Sequence, residues 1–159
     1  MITTGVNKLK NIDLAYLAGL IDGEGCIYFG KEWSKRAEKS SKRGFVWSPR
    51  LIIGMNDFGP VSFFANKLKT KVHILNQPDN KVRYTATIYS GNIRLFLPQI
   101  TPYLQGKKEQ AELLMKALSL LSHKSRSKSD DKLEIIYGRL FELHGSRKSI
   151  RKRERMNND

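Results

Sequence analysis

The stretch Leu17-Ala18-Gly19-Leu20-Ile21-Asp22-Gly23-Glu24-Gly25 constrains this chain more than any other. Leu14, Leu17, Ala18 and Ile21 recur at helical spacing and form one apolar stripe. Asn11 is suited to cap a helix that begins near Ile12 or Asp13. The small pair Ala18-Gly19 admits a second backbone at close range, and glycine inside a helix costs about 1 kcal/mol unless something packs there. Gly23 and Gly25 are expected to stop the helix and free the backbone around Glu24. The product is a carboxylate at the end of a helix, beside a helix–helix seam.

The chain has 159 residues, enough for a single domain with a real core. Lys+Arg number 29 against 15 Asp+Glu, a formal net charge of +14. That excess favours a polyanionic partner and binding that weakens steeply with salt, without choosing between nucleic acids or a membrane surface. Cys26 is the only cysteine, so an intrachain disulfide and a cysteine zinc cluster are both excluded. It reads as a small buried hydrophobe in a reducing, intracellular compartment. His73, His123 and His144 lack ligand spacing. No basic-then-apolar leader opens the sequence and no apolar run reaches membrane-spanning length, so a soluble protein is expected.

Downstream, Ile27, Phe29 and Trp33 alternate with Tyr28, Gly30 and Glu32, as in a half-buried strand. Residues 34–44 are polar, basic and turn-forming. A second strand carries Phe45, Trp47, Leu51, Ile53 and Met55 on one parity and Ser48, Arg50, Ile52 and Gly54 on the other. Pro60, Val61, Phe64, Ala65 and Leu68 predict a helix. Residues 71–77 and 82–89 read as a second hairpin around Gln77-Pro78-Asp79-Asn80. In it Val82, Tyr84, Ala86 and Ile88 alternate with Arg83, Thr85 and Thr87. A helix over 91–100 would be kinked or cut short by Pro98. Residues 107–121 predict another, and 122–130 a flexible linker. Asp131 with Glu134 resembles a capping box opening a last helix over 131–144, ending near His144-Gly145. The domain is thus expected to span 1–145, with its core over 12–121, and residues 146–159 to form a disordered basic arm. The order helix–strand–strand–helix–strand–strand–helix is an α+β pattern.

The stretch 17–25 resembles the signature of the LAGLIDADG homing endonucleases, departing only in Gly23 for Ala and Glu24 for Asp. The resemblance covers roughly residues 12–121. It implies an αββαββα fold whose four strands form one curved antiparallel sheet, helices on one face and double-stranded DNA on the other. One motif per chain implies a homodimer paired through the motif helix, with Leu14, Leu17, Ala18, Gly19, Ile21 and Asp22 at the interface. Two Glu24 carboxylates near a two-fold axis would resist joint ionisation, and divalent cations relieve that repulsion. The family's chemistry implies Mg²⁺, with Mn²⁺ as a substitute, held by Glu24 and the carbonyl of Gly23.

Two further site residues follow from the resemblance. The segment 102–111 looks like the stretch carrying the family's active-site lysine, which maps to Lys107; by itself Lys107 also reads as a solvated lysine in a first helical turn. The position after the second strand, which holds the hydrolytic water network, maps to Asp57, itself well placed to cap the helix at Pro60. A basic residue of some members corresponds here to Val61. Base readout is expected from the polar parity of the strands: Tyr28, Glu32, Ser48, Arg50, His73, Gln77, Arg83, Thr85 and Thr87. Lys35, Arg36, Lys39, Lys42 and Arg43 are expected to grip phosphates. A strand of about eight residues covers about eight base pairs, so a dimer implies a long near-palindromic target. The reading is a site-specific double-strand DNA endonuclease of intron homing. The alternative is a non-cutting RNA maturase or DNA-binding regulator of the same fold.

Overall fold

Alternation in two hairpins sets the architecture. A computed structural model describes residues 7–33, 35, 39, 44–78, 81–122 and 130–156, with side chains through residue 144. Its elements run α1 (Asn11–Glu24), β1 (Gly25–Trp33), β2 (Phe45–Met55), α2 (Phe58–Lys67), β3 (Val72–Asn76), β4 (Val82–Tyr89), α3 (Ser90–Ile100), a 3₁₀ turn (Thr101–Tyr103), α4 (Lys108–Ser122) and α5 (Asp130–Met156). The strands form one antiparallel sheet in the order β1-β2-β4-β3. The central pair, β2 with β4, joins the two hairpins.

One parity of the sheet supplies the core. Ile27, Phe29, Leu51, Ile53, Ala86 and Ile88 are buried in one cluster with Leu17 and Ile21 of α1, Phe64 of α2, Phe96 of α3 and Leu114 of α4. Burying each large apolar side chain contributes about 1.5–3 kcal/mol. The α+β order and the strand parities follow the sequence expectation. The Asp79-Asn80 turn, most of the basic segment 34–44 and the linker residues 123–129 lie outside the described residues.

Helix ends depart from expectation, and tertiary contacts explain why. Helix α1 starts at Asn11 itself, and Lys10 occupies the N-cap without a side-chain bond. The Leu9 N–H donates to Gln99 Oε1 (2.9 Å), so α3 fixes the entry to α1. Gly23 lies within the helix, and only Gly25 ends it, its N–H donating to Ile21 O. The backbone of Gly25 is extended, so glycine is needed there for close approach: a Cβ would sit 2.7 Å from Ile21 O. Pro98 does not cut α3, which runs on to Ile100. The proline removes one helical bond, while Gln99 Nε2 donates to Leu95 O (2.9 Å) and Thr101 Oγ1 to Leu97 O (2.7 Å).

Helix α5 begins at Asp130, which puts Asp131 inside the first turn. Glu134 does not close a capping box; its carboxylate pairs with Lys31 of β1 at 2.6 Å. The Lys31 ammonium also lies over the rings of Phe45, Trp47 and Tyr137, at 4.9, 5.4 and 5.5 Å from their centroids. The helix passes Gly145 and continues to Met156, because a run rich in Arg and Lys, good helix formers, outweighs one glycine. Substituting Gly25→Ala should lower the unfolding free energy by about 1–3 kcal/mol in urea titration. Gly138→Ala, whose Cβ meets nothing within 4 Å in the middle of α5, should raise it by about 0.5–1 kcal/mol.

Candidate metal centre and nucleic-acid interface

The end of α1 is held by a reciprocal set of hydrogen bonds. Asp22 accepts from the Gln105 N–H through Oδ2 (2.8 Å) and from the Lys107 N–H through Oδ1 (2.9 Å). Lys107 Nζ in turn donates to Ile21 O (2.7 Å) and Asp22 O (2.6 Å). An ammonium on the last carbonyls of a helix meets the negative end of its dipole. Lys107 is only 4% exposed. It is therefore no solvated lysine, and its ammonium is directed at the motif backbone. Asp22, expected at a subunit seam, is instead an intrachain clasp.

Beyond this clasp Gly23 and Glu24 are exposed, and among the described residues Glu24 has no hydrogen-bond or ion-pair partner. The donors available there are a carboxylate and the carbonyl of Gly23, hard oxygens at the negative end of a helix, which suit Mg²⁺. Among the described residues no group of three or more His, Cys, Asp or Glu could hold a metal ion. A carboxylate with a carbonyl beside it fits an ion that keeps most of its waters.

Asp57 caps α2: Oδ1 accepts from the Gly59 N–H at 3.0 Å. The pairing of Gly25 with Ile53 puts the end of β2, and so Asp57, at the same end of the sheet as Glu24. Val61 is fully buried in the core, which accounts for its apolar character. Cys26 lies next to the motif with Sγ 3.8 Å from His144 Nε2. Burial pushes its thiol above the ordinary range, with the nearby Lys107 ammonium opposing, so it stays protonated at neutral pH.

The opposite parity of the sheet makes an open face. Tyr28, Arg50 and Tyr89 stand in one row across β1, β2 and β4, followed by Ile52 with Thr87 and by Gly54 with Thr85 and His73. Glu32, Arg83 and Gln77 share this parity. Arg83 crosses Gly54, donating to its carbonyl at 3.1 Å. Ser48 differs from the expectation of a reader: it is 9% exposed and accepts from Arg50 Nε (3.0 Å). Glu32 is likewise engaged by Arg50 Nη2 at 2.9 Å. Sequence reading missed Tyr89, Val46 and Leu75 on this face; strand parity points to Val46 and Leu75. Lys35 and Lys39 are exposed, whereas Arg36, Lys42 and Arg43 lie outside the described residues.

The apolar stripe of α1 belongs to the chain's own core. Leu14, Leu17, Ala18 and Ile21, expected at a subunit interface, are buried within the chain against the sheet and α3. The outward face is Ile12 (76% exposed), Ala15, Tyr16 (48% exposed), Gly19 and Gly23. Of the expected interface residues, Gly19 alone lies on it, with nothing within 4 Å of where a Cβ would stand.

The geometry is thus an antiparallel sheet with one buried face, one open face and a carboxylate-bearing helix at one end. Solved structures narrow the class. The homing endonuclease I-CvuI, in complex with the I-CreI target, is similar at 16% identity over 83% of this chain and 82% of that one, with a TM-score of 0.69. The archaeal intron-encoded homing endonuclease I-Vdi141I complexed with DNA is similar at 14% identity over 84% of each chain, also with a TM-score of 0.69. I-SmaMI bound to uncleaved DNA gives 19% identity and a TM-score of 0.65 over 82% of this chain but 45% of its own. No protein-family profile matches the sequence, and neither does any curated protein. The chain has the fold of these homing endonucleases, and α1 carries the stretch that resembles the LAGLIDADG signature. Among the described residues no helix is long and apolar enough to cross a membrane.

Lys107→Met should lower the unfolding free energy by about 1–3 kcal/mol, since it strips a charged donor from two carbonyls. An unchanged urea midpoint would show that the ammonium does not hold the helix end.

Proposed function

We propose that this chain is a site-specific DNA endonuclease that acts as a homodimer and hydrolyses phosphodiester bonds with Mg²⁺ or Mn²⁺. The observation that carries the reading is the exposed Glu24 carboxylate, without a partner among the described residues, at one end of a polar sheet face. In this assignment the open face lies on the duplex, with Arg83, Thr85, Thr87, His73, Gln77 and Arg50 toward the base edges. The excess of positive charge meets the phosphates and speeds encounter.

Each part of the motif end has a distinct task. Glu24 and the Gly23 carbonyl hold the metal, which when bound neutralises the phosphate and activates a water. Asp22 and Lys107 are positioning residues: they fix the last turn of α1, and so the place of Glu24, without touching the phosphate. Asp57 leaves Oδ2 outside its capping bond, and we assign that oxygen to the water network around the phosphate.

Pairing of two chains through the outward face of α1 supports cutting of both strands. Ile12, Ala15, Tyr16 and Gly19 leave that face apolar and exposed, opposite the stripe that the core already covers. The chain also covers most of I-CvuI but under half of I-SmaMI, as one of two like halves would.

Glu24→Gln should abolish Mg²⁺-dependent cleavage of a DNA spanning the uninterrupted insertion site while specific binding stays within a few-fold. Equal cleavage by this variant would reject the assignment of Glu24. Specific binding without cleavage by the unaltered chain would point to a maturase or regulator. Gly19→Glu, which meets nothing inside one chain, should turn dimers into monomers in sedimentation equilibrium.

A further inference from the structure

Arg50 is the most constrained cation on the open face. It sits on β2, between Tyr28 of β1 and Tyr89 of β4 in the same cross-strand row. Its guanidinium carbon lies 5.9 Å from the centroid of each ring. Ser48 Oγ, nearly buried beneath it, accepts from Nε at 3.0 Å, and Glu32 Oε2 accepts from Nη2 at 2.9 Å. Two rings and two acceptors thus fix the plane and the direction of one side chain.

The edge left over is chemically specific. Ser48 and Glu32 engage Nε and Nη2, the two nitrogens of the guanidinium's side edge. Among the described residues Nη1 has no acceptor and Nη2 has Glu32 alone, so both nitrogens of the end edge keep a donor hydrogen. Two parallel donors match the N7 and O6 acceptors of guanine in the major groove and no other base. A phosphate could also take such a fork, but it accepts from many directions, whereas a base edge demands that its donors lie in the plane of the base.

We propose that Arg50, held by Glu32, Ser48, Tyr28 and Tyr89, reads one guanine in each half-site of the DNA target. This rests on the DNA-binding reading above. Arg50 and Tyr89 are then a specificity unit in which Tyr89 acts by positioning. Gly25 pairs with Ile53, so Gly54 lies in line with Glu24, and Arg50 stands about four residues, or roughly 13 Å, farther along β2. At about 3.4 Å per base pair the guanine falls about four base pairs from the cleaved phosphate.

The test is selection from randomised duplexes by the full chain, compared with Arg50→Ala, Arg50→Lys and Tyr89→Ala, and read as base preference at every position. The unaltered chain should select guanine at one position per half-site by about ten- to a hundredfold. Arg50→Ala and Arg50→Lys should lose that preference and leave the other positions intact, and Tyr89→Ala should weaken it at the same position. Arg50→Lys keeps the charge, so its loss of guanine alone separates readout from folding or general attraction. An unchanged profile in the Arg50 variants, with a selective unaltered chain, would overturn the proposal and leave the DNA reading standing. No preference by the unaltered chain would overturn both. Because binding is what is read, absence of cleavage leaves the test decisive.

Discussion

The last turn of α1 is where distant parts of the chain meet, and its hydrogen bonds set everything around it. Asp22 collects two N–H groups from the loop before α4, and Lys107 of that loop returns its ammonium to the carbonyls of Ile21 and Asp22. The contacts cross more than eighty residues of sequence and run from the surface at Gln105 to the buried bond on Ile21 O, where charge-assisted bonds are strong and an unmatched partner is costly. Ile21 O serves both this ammonium and the Gly25 N–H, so the exit from helix to strand is fixed at the same point. Glu24 follows within two residues. Among the described residues it has no partner, while its neighbours Ile21 and Asp22 are fully engaged.

What the sequence made legible was periodicity. The alternation of Leu51 and Ile53 with Arg50 and Ile52, and of Ala86 and Ile88 with Thr85 and Thr87, marked both the strands and the face each residue would take, since a pleated strand allows only two. The motif marked α1 and Glu24. Long-range partners were illegible. Nothing near Lys107 in sequence announces Ile21 O, and nothing near Glu134 announces Lys31. Helix stripes carry a further ambiguity: Leu14, Leu17, Ala18 and Ile21 show that a face is covered without showing by what. The core claimed that stripe, and the face left open holds Tyr16 and Gly19. Tyr89 escaped notice because it ends its strand, where alternation has no following residue to confirm it.

Helices α4 and α5 give β1 a cover that an edge strand otherwise lacks. Lys31 would be an odd residue for the helix-facing parity were it not enclosed by Glu134 and the rings of Phe45, Trp47 and Tyr137. The ammonium keeps a counter-charge while its stem lies on aromatic surface, which is how a lysine can be accommodated beside a core. Through this contact the C-terminal helix is tied to the strand that carries Tyr28 and Glu32.

The order β1-β2-β4-β3 has an evolutionary consequence. The row Tyr28, Arg50, Tyr89 draws on both hairpins, which are joined only through β2 and β4. Under the proposed reading, a lineage moving to a new DNA sequence could not swap one hairpin as a module, because Arg50 and its three supports Tyr28, Glu32 and Ser48 stand on the first hairpin and the fourth, Tyr89, on the second. Drift in recognition would proceed by coordinated change on three strands, or by change at flanking positions such as Arg83 and Gln77 whose contacts stay within the second hairpin and the strand beside it.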